Sequence, residues 1–108
     1  MTKMIVMLAK SHSPMKKLMV VVNNKIIHFG DSRYEDFTIH KDLKRLNAYI
    51  KRHKKKEDWS LNGIDKAGFW SRWLLWHKPS LEESIDDLKN RFGLKVVFYE
   101  KDWPSLSR

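Results

Sequence analysis

Three short apolar runs, separated by turn-forming residues, make up most of the first 29 residues. The runs are Met4–Lys10, Leu18–Val22 and Lys25–Phe29. Ser11-His12-Ser13-Pro14 follows the first run, and its proline breaks strand pairing. Asn23-Asn24 separates the other two and suits a two-residue hairpin turn, because asparagine tolerates positive φ. The sequence therefore predicts a three-stranded β-meander over about residues 4–29.

Residues 39–56 have the periodicity of one amphipathic helix. Apolar side chains and a histidine recur at spacings of three and four, over an arc of about 120°. Cations occupy an arc of about 140° on the opposite side by the same geometry. The first set is Ile39, Leu43, Leu46, Tyr49, Ile50 and His53, and the second is Lys41, Lys44, Arg45, Lys51, Arg52, Lys55 and Lys56.

Two further helices and a strand are predicted in the second half. Residues 68–76 are apolar almost all round, which is typical of a short buried helix. Ser80 and Glu83 have the spacing of a capping box, an apolar stripe follows, and Gly93 is a natural helix stop. Leu94–Tyr99 reads as a final strand. The expected fold class is α+β: a small antiparallel meander with about three helices packed against it, and room for the C-terminal strand in the sheet.

The chain of 108 residues has the size of one domain, which we expect to span residues 1–108, with a tail at 103–108 that need not be rigid. It has no cysteine, which excludes disulfides and thiolate metal sites. The apolar stretch Met4–Ala9 is shorter than a signal-peptide core or a membrane span. We therefore expect a protein that is not secreted and does not span a membrane.

Most of the positive charge lies in one segment. The 22 Lys and Arg residues outnumber the 13 Asp and Glu by nine, and residues 39–56 alone contribute eight cations against one acid. Contact with phosphate is the favoured interpretation, because neutralised phosphates release counterions. A solvated lysine-rich face and an acidic protein partner are the alternatives. A lysine-dominated face positions a protein on nucleic acid more than it reads bases.

The Trp-rich segment allows two interpretations. On a regular helix Phe69, Trp73 and Trp76 would share one face, and if exposed they could stack on unpaired bases. Core packing is favoured, because a domain of this size has few other large side chains to fill its centre. Arg72 could pair with a carboxylate, stack on an indole or contact an anion, and it joins Lys78 as a further candidate nucleic-acid contact.

No pattern of catalytic or metal-binding residues emerges. The five histidines include no pair in a zinc-binding context, and Asp86 and Asp87 point apart on the predicted last helix. There is neither a Gly-rich phosphate loop nor a nucleophile with a base at motif spacing. We expect no metal, no cofactor and no enzymatic activity.

Four segments together resemble a known group of proteins. They are 25–30 (KIIHFG), 34–42 (YEDFTIHKD), 49–59 (YIKRHKKKEDW) and 67–79 (AGFWSRWLLWHKP). Over roughly residues 4–93 the chain is similar to an uncharacterised family of small basic proteins encoded by large eukaryotic double-stranded DNA viruses, the nucleocytoplasmic large DNA viruses. The resemblance implies a place in the host-cell cytoplasm, the viral factory or the virion, and it implies no activity.

These observations lead to one hypothesis and one alternative. The hypothesis is a non-enzymatic viral accessory or packaging protein that binds nucleic acid, DNA rather than RNA, through the cationic helix face. The alternative is a structural virion protein that docks on an acidic protein surface.

Overall fold

Four strands form one mixed sheet in the order β3-β2-β1-β4 in the computed structural model, which describes residues 4–99. The strands are β1 (Met4–Lys10), β2 (Lys16–Val22), β3 (Lys25–Asp31) and β4 (Leu94–Tyr99). The pairs β1–β2 and β2–β3 are antiparallel, which confirms the predicted meander. β4 joins the sheet parallel to β1. The predicted tail at 103–108 lies outside the described residues.

Asparagines form the turn between β2 and β3. Asn23 and Asn24 both have positive φ, 50° and 63°. Two successive residues of this kind give the twist of a type I′ turn, which matches the twist of the flanking strands. The prediction of a two-residue hairpin at this position is confirmed.

The helical elements lie between β3 and β4, and the α+β fold class is confirmed. A short α1 (Phe37–His40) precedes α2 (Leu43–His53), and a 3₁₀ turn (Leu61–Gly63) follows. α3 (Ala67–Trp70) continues directly into a π-helical turn (Ser71–Leu75), and α4 (Leu81–Phe92) leads into β4. No helix within residues 4–99 is both long enough and apolar enough to cross a bilayer.

The single helix predicted over residues 39–56 is wrong. Lys41 adopts a left-handed conformation, with φ 54°, and separates α1 from α2. Asp42 then caps α2 by accepting hydrogen bonds from the backbone N–H groups of Lys44 and Arg45. Because the helix begins later than predicted, Ile39 and Leu43 are not part of a buried stripe, and their side chains are 53% and 65% exposed. α2 buries only Leu46 and Tyr49.

One face of the sheet and the Trp-rich segment form the core. Phe29 from the sheet and Phe69, Trp70 and Leu74 from the segment are fully buried, and Trp73 is nearly so. The indole N–H of Trp70 donates to the carbonyl of Ile64, so its polar atom is satisfied inside the core. The favoured interpretation of the Trp-rich segment as core is confirmed.

Local signals at both ends of α4 give the predicted helix. The Ser80 hydroxyl caps the helix by accepting from the backbone N–H of Glu83, which is one of the two bonds of a capping box. The Glu83 carboxylate accepts from the Ser80 hydroxyl rather than from the Ser80 backbone N–H. Gly93 ends the helix with φ 71°. The predicted bounds of α4 and β4 are confirmed.

Candidate functional site

Seven cations on and around α2 form what we call the basic surface. All seven are exposed. Four lie on α2 itself, one precedes it in the left-handed link, and two lie in the turn that follows. They are Lys41, Lys44, Arg45, Lys51, Arg52, Lys55 and Lys56. Lys54, at the end of α2, is a further exposed cation that the predicted set did not include.

The local structure of α2 supports this arrangement of charge. The carboxylate of Asp42 stands at the positive end of the helix, and Lys51 and Arg52 lie in its last turn. Both placements suit the helix dipole. The buried side chains Leu46 and Tyr49 hold the other side of α2 against the rest of the domain. The cations therefore face solvent on an anchored helix.

Most cations of the basic surface have no carboxylate partner among residues 4–99. Arg45 contacts Glu35 at 3.4 Å, and both side chains are about half exposed, so the pair contributes little stability. The Lys41 ammonium donates to the carbonyl of Thr38 at 2.8 Å. Asp87 of the acidic helix α4 binds His77 and Arg91 instead. Within the described chain, α4 does not neutralise the basic surface.

Arg72 occupies a different environment from the basic surface. Its guanidinium lies 4.6 Å from the ring centroid of Trp73 and 5.2 Å from that of Trp59, and its Nη1 donates to the carbonyl of Trp76. Burial lowers the pKa of Arg72 from its ordinary value. Arg72 thus stacks on indoles, one of the three roles considered for it. Lys78 is half-buried, and its backbone N–H donates to the hydroxyl of Ser84.

A cavity of about 480 Å³ lies beside the basic surface. It is lined by the start of β2 and the end of β3, the segment before α1, the second half of α2, and residues from both ends of the Trp-rich segment. The lining residues include Lys16, Phe29, Tyr34, Glu35, Arg52 and Trp76. Arg52 belongs to both the cavity and the basic surface. Residues so far apart in sequence carry no shared motif, and the sequence did not predict this site.

Parallel aromatic rings form one wall of the cavity. Tyr49 stacks on Trp76, with centroids 4.4 Å apart and planes within 4° of each other. His53, one turn further along α2, stacks on Tyr49 at 4.3 Å. Burial, with the nearby charge of Glu57 as a second cause, raises the pKa of Tyr49 well above its ordinary value. The phenol is therefore neutral at physiological pH.

Two carboxylates at the cavity are held by specific partners. Asp36 is buried, binds the Lys17 ammonium at 2.6 Å and caps α1 by accepting from the backbone N–H of Thr38. Glu57 accepts from the indole N–H of Trp59 at 2.8 Å and lies 3.1 Å from Nδ1 of His53. An aspartate ahead of a short helix is a recognisable capping signal. No comparable local signal marks Glu57.

The π-helical turn contributes Ser71, Leu75 and the following Trp76 to the cavity wall. The backbone N–H of Trp76 donates to the carbonyl of Ser71, five residues earlier. This wider turn rotates Trp76 away from the face expected on a regular helix. Phe69 and Trp73 pack on Phe92, whereas Trp76 packs on Tyr49, so the predicted common face is wrong. π-helical turns are frequent at functional sites.

The histidines and acids do not gather into a metal site in the described part of the chain. No group of three or more such side chains in residues 4–99 is placed to hold an ion. His28 bonds to the hydroxyl of Ser11, and His77 bonds to Asp87, each at 2.7 Å. These are pairwise contacts within the fold.

Comparison with known proteins gives one match. Residues 6–53 match the model of a family of unknown function, DUF5754. The matched region runs from β1 to the end of α2, so it includes most of the basic surface and excludes the Trp-rich segment, α4 and β4. No curated protein and no solved structure matches the chain.

Proposed function

We propose that this protein binds nucleic acid, DNA in preference to RNA, by placing the basic surface against the phosphate backbone. The observation that carries the proposal is the unpaired state of that surface. Of its seven exposed cations, only Arg45 has a carboxylate of residues 4–99 within 4 Å. A helix that served solubility alone would carry both signs of charge.

The geometry of α2 supports contact with a backbone rather than readout of bases. The cations continue beyond the helix into Lys55 and Lys56, so they form a broad surface rather than one helix end inserted in a groove. Lysine makes point-charge contacts with phosphate, without the bidentate geometry of base recognition. We therefore expect weak sequence preference and strong dependence on salt.

The test is a charge reversal with a matched control. The variant carries Lys44→Glu, Lys51→Glu and Lys55→Glu, three exposed positions on the basic surface. The control carries Lys10→Glu, Lys66→Glu and Lys95→Glu, also exposed, with the same change of net charge elsewhere. Fluorescence anisotropy with a 30-base-pair duplex at 50 mM salt measures both.

We expect the basic-surface variant to bind at least about tenfold more weakly than the control, because phosphate contacts dominate affinity at low salt. Equal affinities for the two variants would contradict a role for α2. No binding by the unmodified protein would contradict the function itself.

The proposed setting is that of an accessory or packaging protein of a large DNA virus, acting without catalysis. This part rests on the resemblance of the four segments 25–30, 34–42, 49–59 and 67–79. Mass spectrometry of purified particles, together with imaging of a tagged copy in infected cells, tests it. A tagged copy that is absent both from particles and from sites of viral DNA synthesis would contradict this setting.

A further inference from the structure

The carboxylates around the cavity already have partners. Asp31 binds Arg33, and Glu35 binds Arg45. The other two acids that line the cavity are Asp36 and Glu57. Asp36 pairs with Lys17, and Glu57 accepts from the indole N–H of Trp59.

Two cations that line the cavity remain unpaired. Lys16 and Arg52 have no carboxylate within 4 Å among residues 4–99. They come from different elements, β2 and α2, and both reach the same space. Beside the four acids that line the cavity, these two cations are the groups available to an anionic ligand, and Lys16 also lies opposite Asp31 in the sheet.

The rest of the wall suits a planar ring. Of the aromatic residues that line the cavity, Phe29 and Tyr49 are buried, whereas Trp76 is half-buried and Tyr34 is 64% exposed, so a ligand ring would meet Trp76 and Tyr34. The volume lies within the roughly 300–1,000 Å³ typical of small-molecule sites, which combine an apolar lining with a few polar groups. A purely apolar ligand would make no use of the charges of Lys16 and Arg52, and inorganic phosphate would make no use of the rings.

We propose that the cavity binds a nucleoside phosphate, with the base among the aromatic side chains and the phosphate at Lys16 and Arg52. Arg52 links the cavity to the basic surface, so a strand lying along α2 can place one unpaired base in the cavity. The idea that a nucleic-acid strand supplies the base rests on the function proposed above. A free nucleotide offers the same chemistry, and the experiment separates the two sources.

The experiment compares ligands with and without a base. Isothermal titration calorimetry compares 5′-mononucleotides with ribose 5-phosphate. Fluorescence anisotropy compares a single-stranded DNA 12-mer with an abasic strand of the same length and charge. One stacked base increases affinity by roughly 5- to 150-fold, so a difference of at least about fivefold is expected in one pair or both.

Two variants and a control localise the effect. Ala67→Leu adds volume at an exposed position that lines the cavity, and Arg52→Gln removes one charge while keeping much of the side-chain length. Asn90→Leu, an exposed position on α4 outside the cavity, is the control. Ala67→Leu is expected to abolish the preference for ligands with a base. Arg52→Gln is expected to weaken mononucleotide binding at least about fivefold, and Asn90→Leu is expected to change neither property.

Each outcome bears on one proposal at a time. If both strands bind equally and mononucleotides bind no better than ribose 5-phosphate, the cavity is not a base site, although the proposed function stands. A preference for a base that survives both cavity variants also overturns the inference. If mononucleotides bind in the cavity while neither strand binds, the cavity takes a free nucleotide and a nucleic-acid strand is not the source of the base. The proposed function is then decided by the duplex titration alone.

Discussion

The phenol ring of Tyr49 stacks on the indole of Trp76, with ring centroids 4.4 Å apart and planes within 4° of parallel. Tyr49 lies on the buried side of α2, and Trp76 follows the π-helical turn. The contact therefore joins the helix that carries the basic surface to the Trp-rich core. It also forms a wall of the cavity, so the two parts of the candidate site share one structural support.

Removing the Tyr49 ring should destabilise the domain. Tyr49→Ala deletes a buried aromatic side chain, and we expect the free energy of unfolding to fall by about 3–5 kcal/mol. Tyr49→Phe keeps the stacked ring, and we expect it to cost less than about 1 kcal/mol. Urea unfolding followed by circular dichroism measures both. Equal losses for the two variants would show that the hydroxyl, not the stack, provides the stability.

Binding to duplex DNA should depend on salt in proportion to the number of phosphates contacted. Lys51→Ala on the basic surface is expected to reduce the slope of log K against log salt by about 1, because one phosphate contact is lost. Lys95→Ala, at an exposed position on β4, is the matched control. Anisotropy titrations at salt concentrations between about 50 and 200 mM give the slopes. An unchanged slope for Lys51→Ala would show that Lys51 does not contact a phosphate of the duplex.

Elements with local signals at both ends were predicted well from the sequence. The meander has turn residues between its strands, and α4 has Ser80 at its start and Gly93 at its end. The break between α1 and α2 was missed because Lys41, an ordinary helix former, adopts positive φ there. Asp42 is the local signal that could have placed the start of α2, since its side chain caps the helix.

The candidate site was predicted only where it lies within one segment. The basic surface comes from consecutive turns of chain, so residue spacing alone indicated it. The cavity brings Lys16 on β2 together with Arg52 on α2 and Trp76 after the π-helical turn. Such proximity depends on strand pairing and on the wider turn at Ser71, and neither can be read from residue spacing.

Breaking the ion pair of Lys17 and Asp36 should destabilise the domain, because it leaves a largely buried charge without its partner. Asp36→Asn leaves the Lys17 ammonium, 19% exposed, without its counter-charge, and we expect a loss of about 3 kcal/mol in the free energy of unfolding. Asparagine can still cap α1, so the loss reports the charge. Asp31→Asn disrupts the exposed pair with Arg33 and should cost much less in the same urea assay. Similar losses for the two variants would contradict the role of burial.

Mild acid should destabilise the domain through His77. Burial lowers the pKa of His77 below its ordinary value, although the Asp87 carboxylate acts in the opposite direction. The unfolded chain therefore takes up the proton at higher pH than the folded protein does. Stability from this group is present above the ordinary histidine pKa of about 6.5 and is lost as the pH falls from there through the lowered value.

The variant His77→Gln should flatten this dependence. We expect the difference in free energy of unfolding between about pH 7.5 and pH 5 to be smaller in His77→Gln than in the unmodified protein. His12→Gln, which removes an exposed imidazole, is the control. Urea unfolding at a series of pH values measures the difference. An unchanged profile in His77→Gln would assign the acid sensitivity to other groups.

Two glycines with positive φ should respond differently to alanine. Gly93, with φ 71°, has no atom within 4 Å of the position a Cβ would take, so Gly93→Ala should cost only the backbone strain, about 1–2 kcal/mol. Gly30 has φ 81°, and a Cβ there would lie 2.6 Å from Cδ1 of the buried Leu75. Overpacking adds about 1–3 kcal/mol, so Gly30→Ala should be the more destabilising variant in urea unfolding. Because Gly30 and Leu75 both line the cavity, Gly30→Ala should also weaken mononucleotide binding, whereas Gly93→Ala should leave it unchanged. Equal stability losses would mean that Leu75 moves aside without cost.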